Sequence, residues 1–228
     1  MRSFFKFGFA RRQSAKDSRF ASAPRRLSRG RLVIATHNRG KLKEMADLLE
    51  PYGLDAVSAG ELGLAEPEET GTSFEANAAL KAHAAASSSG LPALADDSGL
   101  VVEGLGGAPG IYSARWSANG DFATAMARVE RELKEREQRT GTINRRAYFV
   151  AVLALAWPDG HLEQFRGEVH GHVVFPPRGR LGFGYDPIFL PTGESQTFGE
   201  LDATARMRVS HRTVAFRQFA AACLPLPV

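Results

Sequence analysis

The chain has 228 residues, 43% of them apolar, enough for one large domain or two small lobes around a sizeable core. No run approaches the roughly 18 apolar residues that a membrane span requires, so no membrane partner is expected. The single cysteine, Cys223, excludes an internal disulfide and every zinc site built from several thiolates. The formal net charge of +4 is unevenly spread, since residues 1–31 hold ten Lys or Arg against one acid, Asp17, leaving 19 basic and 24 acidic residues in 32–228, a net of −5. The body is mildly acidic, and no nucleic acid is expected to bind it.

Met1 to Arg31 mixes Arg, Ser, Ala and Phe in the manner of an organelle transit peptide. A disordered basic tail or an upstream start codon in a bacterial gene fits the same composition. Phe4, Phe5, Phe7 and Phe9 are too few and too close for a secretory core. The segment is placed outside the fold as a disordered basic extension, with residues 32–228 as the folded domain.

At Leu32 the texture changes. Leu32-Val33-Ile34-Ala35 is a buried-strand run, and Thr36-His37-Asn38-Arg39-Gly40-Lys41 turns it into a helix with apolar positions Leu42, Met45, Ala46, Leu48 and Leu49, stopped by Pro51 and Gly53. Strand, polar turn and helix point backbone N–H groups at an anion. Lys41 would add charge for a phosphate, and Thr36 and Asn38 would add hydrogen bonds. The spacing is not a Walker loop, and a generic turn between strand and helix is the competing account.

Glu66-Pro67-Glu68-Glu69-Thr70-Gly71 is an acidic loop whose Glu68 and Glu69 could supply a metal ligand, or simply a soluble surface. Thr72-Ser73-Phe74-Glu75 reads as a capping box opening an alanine-rich helix. On it Asn77 and Lys81, at i and i+4, share a face. Such a pair is usually solvated and matters only if it looks into the same cleft as Lys41.

Leu94-Ala95-Asp96-Asp97-Ser98-Gly99-Leu100 is the candidate chemical centre. Two carboxylates end the short apolar run from Leu91 to Ala95, and a strand ending this way sets acids at a sheet edge, where ligands of open α/β folds sit. Adjacent strand residues face opposite ways, so one acid could hold a divalent metal while the other polarises water. Asp-Asp-Ser-Gly as plain turn chemistry is the alternative. The glycine-rich run from Gly104 to Trp116 is a loop with a specified backbone path. Asn119 or Asp121 caps a scaffold helix through about Gln138, with Phe122, Met126, Val129 and Leu133 inward.

Tyr148 to Trp157 and His161 to Val174 form a hairpin across Pro158-Asp159-Gly160. The Phe175–Arg180 loop leads to Gly182-Phe183-Gly184-Tyr185-Asp186-Pro187, a base-stacking platform or a turn with packed rings. The last helix runs from about Val209 to Ala222 with Ser210 as its N-cap. His211 and Arg212 then stand as cations in its first turn, against the helix dipole, which hints at an anionic or polar ligand; a surface pair without function competes.

Six segments in order resemble the inosine triphosphate pyrophosphatase family: Thr36 to Lys41, Glu68 to Gly71, Asp96 to Leu100, Gly106 to Arg115, Phe183 to Pro187 and Ser210 to Arg212. The resemblance runs from about Leu32 to the C-terminus. It implies an α/β fold, a long mixed sheet flanked by helices, with two lobes and the active-site cleft between them. It implies hydrolysis of deaminated purine nucleoside triphosphates (ITP, dITP, XTP) to the monophosphate and pyrophosphate, with Mg2+ as cofactor, in a homodimer. Thr36, His37, Asn38, Arg39, Gly40 and Lys41 match the triphosphate turn, and Asp97 matches the catalytic acid and metal ligand. Glu69 matches the second metal ligand, beside Glu68. Ser98 matches a substrate contact, Phe183, Gly184, Tyr185 and Asp186 the base segment, and His211 with Arg212 the purine-recognising pair. Strand alternation separates Asp96 from Asp97, but only the resemblance assigns Asp97 to the cleft and Asp96 to a supporting role. Arg206 stands where the family commonly has lysine, keeping the charge and changing the geometry. The rival readings are a pyrophosphatase for modified pyrimidine nucleotides and a non-catalytic nucleotide- or nucleic-acid-binding protein. The expected location is cytoplasmic, or an organelle if the extension is a transit peptide.

Overall fold

The computed structural model describes residues 23–117 and 120–227. At its centre lies one six-stranded sheet in the order β2-β1-β3-β4-β5-β6. The strands are β1 (Arg31–Ile34), β2 (Asp55–Ser58), β3 (Ala93–Val102), β4 (Arg146–Ala156), β5 (Leu162–Val173) and β6 (Phe189–Pro191). β1 is parallel to β2 and β3, whereas β3 through β6 are antiparallel neighbours, so the sheet is mixed, as expected. The helices are α1 (Arg39–Leu49), α2 (Phe74–Ser89), α3 (Phe122–Thr140), α4 (Ala203–Val209) and α5 (His211–Cys223).

Side-chain alternation along β3 sorts these helices. Ala93, Ala95 and Val101 face α2, while Leu94 and Leu100 face the opposite side. On that opposite side Leu94 joins Leu153, Phe216 and Phe219 in a core under α1 and α5, and Leu100 joins Phe149, Val129 and Leu133 in a second core under α3. The two β3 residues between Leu94 and Leu100 on this face are Asp96 and Ser98. Polar residues in the middle of an apolar face divide it into two lobes with a cleft between them.

β3 corrects the reading of Asp-Asp-Ser-Gly as a strand end or a turn. The acids are the fourth and fifth residues of a continuous ten-residue strand, paired with β4 along its whole length. The expectation of an edge survives in another form. Of β3, β1 pairs only with Ala93 and Leu94 before the chain turns away at Thr36, so around Asp96 to Ser98 that side of β3 is left to the cleft, until Leu100 and Val101 meet the Pro109–Ser113 segment.

α2 packs through Ala78, Ala82, Ala85 and Ala86, whose short side chains bring the helix close to β3 and β4. Asn77 and Lys81 are therefore buried rather than solvated. The expected capping box is replaced by a simpler cap: Ser73 accepts the Ala76 amide, and Glu75 pairs instead with Arg166. Asp121 caps α3, with Met126, Val129 and Leu133 buried; Asn119, the other expected cap, lies outside the described residues. Ala46 of α1, expected on the packing face, is exposed.

The folded body begins before Leu32. Leu27 is buried in the α5 core and its amide donates to the Cys223 carbonyl at 2.7 Å. Arg25 pairs with Asp159 at 2.5 Å and lies over Trp157. Of the expected extension, residues 1–22 lie outside the described residues.

Candidate active site

β1 delivers the chain into the cleft at Thr36. The Asn38 side chain caps α1, accepting the Gly40 and Lys41 amides at 2.9 and 3.1 Å, while Thr36 Oγ1 accepts the Asn38 amide. Asn38 Oδ1 thus binds its own helix, which leaves the side-chain Nδ2 as the group that can donate to an anion. Thr36, His37, Asn38 and Lys41 line the cleft. The exposed Arg39 is not among the lining residues. Gly40 serves packing: a Cβ there would stand 3.0 Å from the Phe183 ring, so its absence lets that ring lean on the turn. The His37 ring is bonded to the Leu64 carbonyl at 3.2 Å, just before the acidic loop, and lies 3.6 Å from Glu66 of that loop.

The adjacent acids of β3 face opposite sides, and each meets a lysine. Lys41 Nζ donates to Asp96 Oδ1 at 2.6 Å, the Ser98 hydroxyl donates to the same oxygen at 3.0 Å, and Arg212 Nε donates to Oδ2 at 3.1 Å. On the other face Lys81 Nζ donates to Asp97 Oδ1 at 3.0 Å and to Glu69 Oε1 at 2.6 Å, and Asn77 makes a long bond to Asp97 Oδ2 at 3.4 Å. Both oxygens of Asp96 are committed to cations, whereas Asp97 retains spare lone pairs. Burial works against ionising Asp96, but Arg212 and Lys41 outweigh it and hold the carboxyl well below its usual range. Burial raises Asp97, Glu69 adds to the rise, and Lys81 and Lys41 oppose it without cancelling it. Desolvation pulls Lys81 down, yet Asp97 and Glu69 more than compensate, so it remains an ammonium. Asp97 is thus the more basic and less committed carboxylate.

Glu69 is half-buried and directed at Lys81, and its carbonyl accepts Arg115 at 2.7 Å; Glu68 is exposed on the cleft rim. Asn77 and Lys81 join Asp97 and Glu69, which meets the condition under which that helix face matters. The signal was their i, i+4 spacing, which becomes informative once α2 is known to face β3. Glu44, one helical turn after Lys41, carries no signal in the sequence; it pairs with Arg212 and lies 3.8 Å from Arg206.

The other half of the cleft is aromatic. His211 stacks on Phe149 with ring centroids 4.9 Å apart, and Phe183 and Phe198 complete the walls. Burial and neighbouring Arg212 push His211 well below its usual pKa, so it is neutral. This corrects the expectation of two cations opposing the helix dipole: one is uncharged, and Arg212 is matched by Asp96 and Glu44. His211 Nδ1 is buried without a hydrogen-bond partner among the described residues. Tyr185, expected in a stacking platform, is buried, donates to the Ser113 carbonyl at 3.0 Å and meets Phe122 edge-on, so it is wall rather than platform. Gly184 lines the same wall. Asp186 accepts the Phe183 amide at 2.9 Å and, driven by burial against the pull of that bond and of Arg206, is pushed up to about 7. Arg206 spans Glu44 and Asp186, its Nε 3.8 and 3.9 Å away, which fixes the geometry its departure from lysine had left open. The aromatic and charged halves share Asn38, Lys41 and Ser98, so they form one continuous cleft.

The Ham1 family model matches residues 32–222. The dITP/XTP pyrophosphatase of Rhodopseudomonas palustris (strain ATCC BAA-98 / CGA009) is 58% identical over 203 residues, covering 86% of this chain and 96% of that protein. That of Rhodospirillum centenum (strain ATCC 51521 / SW) is also 58% identical over 203 residues, covering 89% and 98%. Among solved structures, a HAM1 protein from Coxiella burnetii superposes with a TM-score of 0.77 at 36% identity, covering 84% of this chain and 96% of that one. With the family's model matching residues 32–222 and relatives of this identity along nearly their full length, the chain belongs to the Ham1 family.

Proposed function

We propose that this protein hydrolyses deaminated purine nucleoside triphosphates, ITP, dITP and XTP, between the α and β phosphates, releasing the nucleoside monophosphate and pyrophosphate. The observation that carries this reading is the divided cleft. An aromatic half suited to a base opens directly into a charged half suited to phosphates, with Lys41 and Ser98 at their junction. Relatives at 58% identity bear the name dITP/XTP pyrophosphatase.

The charged half carries five carboxylates, Glu66, Glu68, Glu69, Asp96 and Asp97, against the cations Lys41, Lys81 and Arg115. An excess of negative charge repels a bare triphosphate, so the substrate must enter with a divalent cation. Among the described residues no three His, Cys, Asp or Glu side chains cluster as a metal cage. Glu69 and Asp97, which converge on one ammonium, fit a hard cation held by two carboxylates with water and phosphate oxygens completing its shell, as Mg2+ prefers. When bound, Mg2+ would neutralise phosphate charge and make water more acidic.

The chain's own residues supply the rest. Asp97, raised by burial, orients the attacking water and takes its proton. Lys41 and Thr36 stabilise the leaving pyrophosphate. Phe183 stacks on the base, and His211 and Arg212 present donors to a 6-oxo oxygen, where the 6-amino group of adenine would leave donor facing donor. The reading extends to a cytoplasmic homodimer, as the family resemblance implies; among the described residues no helix is long and apolar enough to cross a membrane.

The test is a panel of nucleoside triphosphates with pyrophosphate detection in Mg2+, with sedimentation of the same sample for its oligomeric state. ITP, dITP and XTP should be turned over well ahead of ATP, GTP and modified pyrimidine nucleotides. Asp97→Asn should lower kcat by at least about a hundredfold while the protein stays folded. Release of orthophosphate, or equal rates on ATP and ITP, would discard the proposal.

A further inference from the structure

Three rows of side chains cross the sheet beneath α5. In register, Asp96 pairs with Leu153 and that with Phe165; Leu100 pairs with Phe149 and that with Val169. Between these two rows of mostly bulky residues run Ser98, Ala151 and Gly167, presenting a hydroxyl, a methyl group and a hydrogen. The first turn of α5 descends onto the small end of this row. A Cβ on Gly167 would fall inside 3.0 Å of the His211 carbonyl oxygen and of the Ala215 amide nitrogen, and 3.0 Å from Val214 Cβ. None of those three atoms can move aside by changing rotamer, since two are backbone and the third is a Cβ. Gly167 is not at positive φ, so space, and not backbone conformation, demands glycine there.

The residue whose carbonyl rests on Gly167 is His211, whose ring lines the aromatic half and keeps a buried, unpartnered Nδ1. At the other end of the same row, Arg212 Nη2 donates to Ser98 at 3.1 Å, and its Nε reaches Asp96 at 3.1 Å. Those bonds hold only while α5 lies this close to the sheet, because a hydrogen bond fades within about half an ångström of lengthening. We propose that Gly167 is a positioning residue for base recognition: by letting the first turn of α5 rest on the β5 backbone, it sets the depth at which His211 and Arg212 enter the cleft. It touches neither substrate nor reacting atoms and acts through those two side chains. This inference rests on the proposed reading of His211 and Arg212 as the base-recognising pair. A displacement of about 1 Å is enough to cost a positioned site up to about a hundredfold in rate.

Gly171 provides a matched control. It lies on the same strand, and a Cβ there would come equally close to a backbone oxygen, that of Leu190, but beside β6 and away from α5. Wild type, Gly167→Ala and Gly171→Ala should be compared by melting temperature and by kcat and KM on ITP and on ATP. Gly167→Ala should lower the ratio of kcat/KM for ITP over ATP at least about tenfold. Gly171→Ala should lower the melting temperature and leave that ratio unchanged, because loss of folded protein scales both rates alike. If Gly167→Ala does not fold, Ala151→Ser, which adds one heavy atom to the same row, should lower the ratio in its place. A selective wild type beside an equally selective Gly167→Ala, or beside an equally selective Ala151→Ser where that variant stands in, overturns this inference alone. So does an equal loss of selectivity in Gly171→Ala. An unselective wild type overturns the functional reading and this inference together.

Discussion

Asp186 shows how burial can make a single carboxyl set a pH dependence. Its native pKa, about 7, lies far above the 3.8 of an exposed aspartate. Between those values the native protein holds a proton that the unfolded chain has released, so this residue's contribution is full below pH 3.8 and is lost as pH rises through 7. Asp186→Asn keeps an oxygen to accept the Phe183 amide and removes the titration. Relative to wild type, the variant should gain on the order of a few kcal/mol between about pH 4 and pH 7.5, read from urea unfolding at both values. His211 works in the opposite sense, since it stays neutral when folded and takes a proton when unfolded below the ordinary histidine value of 6.5. The informative quantity is therefore the difference between the two proteins, and a difference independent of pH would show that Asp186 is ionised throughout. Neither shift was legible in the sequence, because both arise from desolvation by residues far along the chain. Residue type marked Asp97 as a candidate acid, while its raised pKa comes from burial and from Glu69 on the acidic loop, against Lys81 on α2 and Lys41 on α1.

β3 illustrates the limit of pattern at the scale of an element. Asp, Ser and Gly are depleted in strands, so apolar runs on either side of Asp96 to Gly99 read as two segments joined by a turn. Pairing with β4 along the full strand, and the cations on both faces, override that local preference. Gly99 marks where the strand meets the Gly106–Trp116 segment: a Cβ would stand 2.5 Å from both the Gly110 carbonyl and Ser113 Oγ, which accepts the Leu100 amide. Gly99→Ala should displace that segment and destabilise the protein by about 1–3 kcal/mol, measured by thermal or urea unfolding. A variant as stable as wild type would mean that the segment yields freely. α1, α3, α5 and the β4–β5 hairpin were legible because each is long enough to show its period or its turn residues. β2, β6 and α4, of four, three and seven residues, are too short to display one.

At the scale of the molecule, composition predicts an acidic body with a basic extension, and the order of motifs along the chain points to the cleft. What remained illegible was depth. The packing of α2 on alanines, the descent of α5 onto Gly167 and the docking of Leu27 beside Cys223 all depend on how closely elements approach. The ammonium of Lys81, set between Asp97 and Glu69, has a further meaning at this scale. In many small metalloproteins the ligands repel one another until the ion arrives, so binding and folding are one event. Here the protein carries its own counter-ion, and the acids are compensated before any metal enters. The Mg2+ proposed for this site should then be a visitor rather than a structural member. Chelation with EDTA should abolish turnover and leave the melting temperature unmoved, whereas a fall of several degrees would show that the fold depends on the ion. A protein whose acids are already paired keeps its fold with the site empty, so the proposed cation could arrive together with its substrate.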